Sequence, residues 1–365
     1  MKITVLIQMI FGVGISYLIS NIVYEFTKKE NLSIIASVFY AAFIPFLYFE
    51  LAILSETTAA FFILLSFTCY IKLLKNKDRY LMRVLLISIF TLIAAFTRPV
   101  YLVMAPLYVV YFMFDFRANK LKLGQSIKYL AVFALPILIG VIGWSYVNLK
   151  YNGTFSFATG RGFAAMEMAG DYIEYASDDH PYNIIKEVYI RERDINIRNG
   201  APHIDTIWGI TDELQEKTGL SYNELSKEVK KMCTQVMLKK PDIYFKSVIR
   251  SMINFWKTFG RPIFTESNIS TPIKYINIVQ RCILILLQLP FLFSPLAYLI
   301  RRKKLKLNGD VRLICSFVYI LIIGISILIS IIECSEGRFA MPTFPLLIIT
   351  TFILYYNILG KPKVG

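Results

Sequence analysis

The sequence predicts an all-α polytopic membrane protein, with about nine transmembrane helices and a long, partly helical external segment. Three observations carry this expectation. Of the 365 residues, 56% are apolar, and the mean hydropathy of +0.55 exceeds what a water-soluble domain sustains, which excludes a soluble globular chain. Apolar runs recur at close to the length that crosses a bilayer. The positive charge is confined to the connectors between those runs: the net charge is +15, yet residues 148–271 carry 16 basic against 16 acidic side chains, leaving 24 against 9 among the apolar segments. Charge distributed in this way orients helices in a lipid bilayer and argues against a nucleic-acid partner.

A helix rises about 1.5 Å per residue and must satisfy its own backbone groups in lipid, so roughly 20 apolar residues make one crossing. The runs that qualify are 3–24, 32–50, 57–74, 84–97, 99–116, 129–147, 282–300, 313–332 and 339–358. The first is too long for a signal-peptide core and lacks a convincing cleavage site, so it counts as a span. Three connectors are strongly basic: Lys72, Lys75, Lys77, Arg79 and Arg83; Arg117, Lys120, Lys122 and Lys128; and Arg301 to Lys306 with Arg312. The positive-inside rule makes all three cytoplasmic.

Parity then orders the remainder. Residues 84–116 begin and end inside and so cross an even number of times. Arg98-Pro99 stands at their middle, where an arginine at mid-bilayer would cost several kcal/mol, so a hairpin with Arg98 at its external apex is expected. The same counting places Glu50, Glu56, residues 148–281 and the stretch 333–338 outside, with Lys361 and Lys363 inside. It also makes the first helix start outside, the disposition expected of a chain that lacks one preceding helix and one external loop. Three regions follow: an N-terminal transmembrane bundle of about six crossings (1–147), the external segment (148–281) and a C-terminal bundle of about three crossings (282–365).

Within the external segment, Asn148 to Pro202 is rich in glycine, aromatic and charged residues and is expected to be irregular. Ser221-Tyr-Asn-Glu224 has the form of a capping box opening a helix that ends near Pro241. A second helix is expected from about Asp242 to Phe259, with Phe245, Val248, Ile249, Met252, Phe255, Trp256 and Phe259 at three- and four-residue spacing, opposed by Lys246, Arg250 and Lys257. Such a stripe suits a membrane surface or packing against the rest of the segment.

Soluble-enzyme signatures are absent: there is no GxxxxGK[ST], no GxGxxG and no HExxH. The five cysteines stand singly, and the only histidines, His180 and His203, are isolated and expected at the surface. What remains is a set of charged groups at helix ends on one side of the membrane. Glu56 opens a span in Leu54-Ser55-Glu56-Thr57-Thr58, where a carboxylate suits the helix dipole and Ser55 or Glu56 could cap the first N–H groups. Arg98 is either a lipid-phosphate ligand or a structural arginine paired to a nearby carboxylate. Arg338 precedes the last span, and its guanidinium fork matches phosphate oxygens. Glu50, Glu333 and Glu336 are further candidates whose simpler reading is solvated loop charge.

The order of Leu54-Ser-Glu-Thr57, the basic connector, Phe96-Thr-Arg-Pro99, the opening Tyr151-Asn-Gly-Thr-Phe-Ser-Phe-Ala-Thr-Gly160, Lys240-Pro241 before an amphipathic helix with Trp256, and Gly337-Arg-Phe-Ala-Met-Pro-Thr-Phe-Pro345 resembles bacterial GT-C glycosyltransferases. These polytopic enzymes are related to protein O-mannosyltransferases and to the aminoarabinose transferase acting on lipid A. The resemblance runs over nearly the whole chain and lies in order and topology more than in any one tripeptide. It implies a transferase that takes a hexosyl or pentosyl group from a polyprenyl-phosphate carrier and delivers it, with inversion, to a lipid, glycan or protein acceptor of the cell envelope. The reaction would occur at the outer face of the cytoplasmic membrane. Glu56 matches the family's second acidic position; the first acidic loop has no counterpart here. By the same analogy Arg98 and Arg338 would bind the carrier phosphate and Glu56 would serve in catalysis. Phosphate is a good leaving group, so no metal or other cofactor is required. Two alternatives accompany this expectation: an inactive or truncated remnant of the family, and a polysaccharide or lipid transporter, against which stands the lack of repeats and of mid-span ionisable groups.

Overall fold

The computed structural model describes residues 2–76, 78–200, 203–257, 271–301, 308–334 and 337–359. Among them regular structure is helical throughout. The elements are α1 (Lys2–Thr27), α2 (Glu30–Ala41), α3 (Ile44–Leu51), α4 (Glu56–Lys75), α5 (Tyr80–Thr97), a 3₁₀ turn (Pro99–Val103), α6 (Met104–Ala118), α7 (Leu123–Asn152), α8 (Arg161–Ala169), a 3₁₀ stretch (Gly170–Tyr175) and α9 (Tyr182–Arg198). After a short 3₁₀ turn (His203–Asp205) come α10 (Thr206–Gly209), α11 (Thr211–Thr218), α12 (Tyr222–Lys239), α13 (Pro241–Trp256), α14 (Thr271–Arg301), α15 (Gly309–Ile332), a 3₁₀ turn (Gly337–Thr343) and α16 (Phe344–Leu359). Eight of the described helices are long and apolar enough to cross a membrane, counting the 3₁₀ turns that lead into α6 and α16, and the chain is a multi-pass membrane protein. The pair α2 and α3 passes the same test only together.

That pair corrects one expectation, because residues 32–50 do not form one straight helix: α2 and α3 meet at a 54° bend. Pro45 at the start of α3 cannot donate to a continuing helix. The backbone groups released at the break are met by one side chain: the Ile44 N–H donates to Gln280 Oε1 at 2.7 Å, and Gln280 Nε2 donates to the Ala42 carbonyl at 3.2 Å. In hydrocarbon, where water cannot substitute, such a break needs a partner of this kind.

The chain divides into two compact units. The first comprises Met1–Leu138, Trp256–Ile325 and Glu336–Gly365. Its core is aromatic, with Phe67, Tyr70, Tyr108 and Phe317 fully buried and the rings of Tyr108 and Phe317 4.8 Å apart. Its outward surface carries large apolar side chains, among them Val13 on α1, Leu135 on α7 and Leu286 and Phe293 on α14, as expected where lipid is the solvent.

The second unit comprises Ile139–Phe255 and Ser326–Ser335. Here too an expectation is corrected, because Asn148 to Pro202 is not irregular: α8 and α9 lie within it. They bury Phe163, Met166, Ile185, Val188 and Tyr189 in a core shared with Leu225, Val229 and Met232 of α12. Gly162 lets α8 approach α12 closely: its N–H donates to Ser226 Oγ at 3.1 Å, and a Cβ there would overlap the Ser226 carbonyl. The capping box at α12 forms, the Ser221 N–H donating to Glu224 Oε2 at 3.0 Å. That bond and the one from the Ser221 hydroxyl hold the Glu224 carboxyl below its ordinary range. Along α13 the small residues Ser247 and Ser251 face the protein, while Phe245, Ile249 and Ile253 are exposed. Ser251 Oγ donates to the Glu333 carbonyl at 3.0 Å, and the Tyr244 hydroxyl to the Ile331 carbonyl at 2.9 Å. Phe259, expected at the end of this stripe, lies outside the described residues.

Candidate active site

Three elements of the first unit bring the site together. α4 begins at Glu56 immediately after the short stretch Ala52–Ser55, which Gln8 of α1 clamps: its Nε2 donates to the Leu54 carbonyl at 2.7 Å. α5 ends at Thr97, where Pro99 prevents continuation, and Arg98 adopts an extended backbone (φ −147°, ψ 111°) before the 3₁₀ turn. The 3₁₀ turn Gly337–Thr343 packs against α4.

This corner sets Arg98 Nη1 3.4 Å from Glu56 Oε1. The side chain of Glu56 is 2% exposed and that of Arg98 16%, so the pair is largely removed from solvent. The arginine lies over the ring of Phe339, its Cζ 4.8 Å from the centroid, and Arg338 approaches the same ring with its Cζ at 5.2 Å. Taken end to end, those distances place the two guanidinium carbons within about 10 Å of each other, each held by cation–π attraction as well as charge. Tyr101 completes the group, its hydroxyl within electrostatic reach of both Arg98 and Glu56.

The pair is not fully satisfied. Glu56 Oε2 and Thr57 Oγ1 are buried with no hydrogen-bond partner among the described residues. Buried polar atoms are nearly always bonded, and one lacking a partner costs of order 1–3 kcal/mol, so two at one helix start require a reason. Capping does not supply it, for Ser55 makes no side-chain cap bond.

The remaining sequence candidates fall elsewhere. Glu50, on α3, is buried rather than solvated, and its carboxylate fills the space over Gly12 of α1, where a Cβ would overlap it. Glu333 belongs to the second unit with α13. Glu336 lies outside the described residues. His180 is exposed, and the side chain of His203 is outside the described set. No group of three or more His, Cys, Asp or Glu side chains able to hold a metal ion occurs among the described residues. Tyr101 and Phe339 were not singled out by sequence; the signal available was an aromatic residue three positions after one arginine and one position after the other.

The opposite end of the same bundle is different in kind. Lys75 pairs with Glu25 at 3.1 Å, Arg83 donates to the Lys72 carbonyl at 2.6 Å, and the Tyr80 hydroxyl donates to Asp115 at 2.9 Å. Twenty residues of α4 separate the two ends by about 30 Å. No family model, no curated protein and no solved structure matches the chain.

Proposed function

We propose that this protein is a multi-pass glycosyltransferase of the GT-C type. It moves a hexose or pentose from a polyprenyl-phosphate carrier to a cell-envelope acceptor at the outer face of the bacterial cytoplasmic membrane, a step in polysaccharide or envelope biosynthesis. The observation that carries the reading is Glu56: a buried carboxylate at the start of a span, tied through one oxygen to Arg98, with its second oxygen unpartnered. Removing an ionised carboxylate from water is costly, and a fold that merely neutralised it would engage both oxygens.

The chemistry follows from those atoms. The acceptor hydroxyl is oriented by Glu56 Oε2, which takes its proton as the acceptor oxygen attacks the anomeric carbon from the face opposite the carrier. The bond between that carbon and the carrier phosphate breaks, and its electron pair leaves on the phosphate oxygen, inverting the configuration. The guanidinium groups of Arg98 and Arg338, within reach of one ring, offset charge on the departing phosphate through their N–H donors. Tyr101 supplies a further donor beside them. The exposed apolar stripe of α13, Phe245, Ile249 and Ile253, suits a helix lying at a membrane surface.

The test is transfer from a polyprenyl-phosphate-linked sugar by protein reconstituted in vesicles. Glu56→Gln is expected to lower turnover by a factor of about 10²–10⁴, the usual contribution of a positioned base. Arg98→Lys is expected to lose less than Arg98→Ala. Undiminished sugar release by Glu56→Gln would reject the assignment.

A further inference from the structure

A second site lies at the other end of the first unit. A cavity of about 230 Å³, open on one side, is lined by Ser294 and Pro295 of α14, Arg312, Cys315, Ser316, Tyr319 and Ile320 of α15, and Leu354 of α16. Its position follows from Ser316, whose hydroxyl is 2.7 Å from that of Tyr111 on α6, and from Phe317, stacked on Tyr70 near the end of α4 with centroids 5.5 Å apart. Tyr70 is fourteen residues along α4 from Glu56, or about 21 Å, so this cavity is separate from the candidate active site.

Pro295 lies in the cavity wall. Pro295 has no N–H to give the Phe291 carbonyl, and the hydroxyl of Ser294 donates to that carbonyl instead at 2.8 Å. Ser316 is similarly spent, on the Leu313 carbonyl at 2.8 Å and on Tyr111. The two serine hydroxyls in the wall are therefore occupied, and against them an apolar guest gains only packing. Around the opening, Phe293, Leu296 and Ile320 are large and exposed, so the cavity faces hydrocarbon, not water. Arg312 stands in the first turns of α15, exposed and with no salt bridge among the described residues. It precedes Ile320 by two helical turns, about 12 Å along the helix, so a phosphate held there would lay its acyl chain beside Ile320.

We propose that this cleft binds an acidic phospholipid, its phosphate on the Arg312 guanidinium and one acyl chain between α14 and α15. The charge argument decides the occupant. A net-neutral lipid would fill the cavity equally well but gains little from a cation at its rim, whereas each arginine near a membrane surface favours an anionic lipid by about fivefold.

Native mass spectrometry of the purified chain, exchanged against an equimolar mixture of phosphatidylglycerol and phosphatidylcholine, tests this. The expected result is one retained lipid, with phosphatidylglycerol preferred by roughly fivefold. Arg312→Gln should bring the two lipids to parity, Arg312→Lys should keep most of the preference, and Ile320→Trp should expel the lipid with the charge intact. Equal retention by the unmodified protein, a preference that survives both Arg312→Gln and Ile320→Trp, or displacement of phosphatidylglycerol by polyprenyl phosphate at equal concentration would each overturn it. The unmodified protein alone decides the first and third outcomes, so the result does not depend on any variant folding.

Discussion

Replacing Glu56 by glutamine preserves the size of the side chain but leaves the guanidinium of Arg98, 16% exposed, without its counter-charge. At 3.4 Å and an effective dielectric near 20, the direct attraction is about 5 kcal/mol. Desolvation of both groups offsets most of that, so the pair adds little net stability; removing one partner is a different matter and costs about 3–5 kcal/mol, because the other charge stays buried. The expected pattern is therefore a strong non-additivity. Glu56→Gln and Arg98→Gln should each lower unfolding stability by about 3 kcal/mol, and the double variant should fall no further than the worse single, a coupling of about 3 kcal/mol. Reversible unfolding of the four proteins in mixed micelles, followed by intrinsic fluorescence, measures the cycle. Effects that add to within about 0.5 kcal/mol would show that the two side chains do not depend on each other and would remove the basis of the site.

Two more outcomes are open to direct measurement. Gly162→Ala drives a methyl group into the Ser226 carbonyl, backbone against backbone, and should loosen the α8–α12 crossing by about 3 kcal/mol, seen as faster proteolysis of residues 148–255. Gly209→Ala, with open space around it, is the matched control and should be neutral within a few tenths of a kcal/mol. For sidedness, a single cysteine at position 338 in a cysteine-free background should react with a membrane-impermeant maleimide in intact cells, while one within residues 301–306 should not. The reverse pattern would put Glu56 and Arg98 on the cytoplasmic side.

Much of the fold was legible because lipid imposes a coarse code: the apolar runs 57–74, 84–97, 99–116 and 313–332 all lie within helices long and apolar enough to cross a membrane, and 339–358 overruns another by one residue. Arg98-Pro99 also marked the right place, since a proline after a charged residue ends a helix by steric exclusion alone. The break in α2 and α3 escaped notice because Ala41 to Phe46 stays apolar throughout despite Pro45, and the side chain that satisfies the freed backbone groups, Gln280, is far away in sequence. The helices α8 and α9 were missed for the opposite reason. Their buried residues, Phe163 and Met166, Ile185, Val188 and Tyr189, do recur at helical spacing, but charges and glycines crowd the intervening positions. Glu56 and Arg98 were each legible as unusual, and a carboxylate partner was one of the two readings of Arg98, the one the structure shows; which carboxylate was not legible, because nothing local encodes a contact between the start of one helix and the end of the next. Glu50 shows the limit most plainly: a carboxylate at an apparent loop edge is packed over Gly12 because that glycine has no side chain to exclude it.

The clasp of Gln280 on Ile44 and Ala42 also sets an order of events during biosynthesis. The two ends of that contact are 236 residues apart, so at roughly 5–20 residues per second the nascent chain must wait on the order of 12–47 s before the elbow between α2 and α3 can be sealed. During that interval the exposed amide and carbonyl face hydrocarbon or the insertion machinery. An assembly whose first half is completed by its second in this way would be expected to need a chaperoned delay at the translocon, and a ribosome pausing before α14 would prolong the most vulnerable stage of its life.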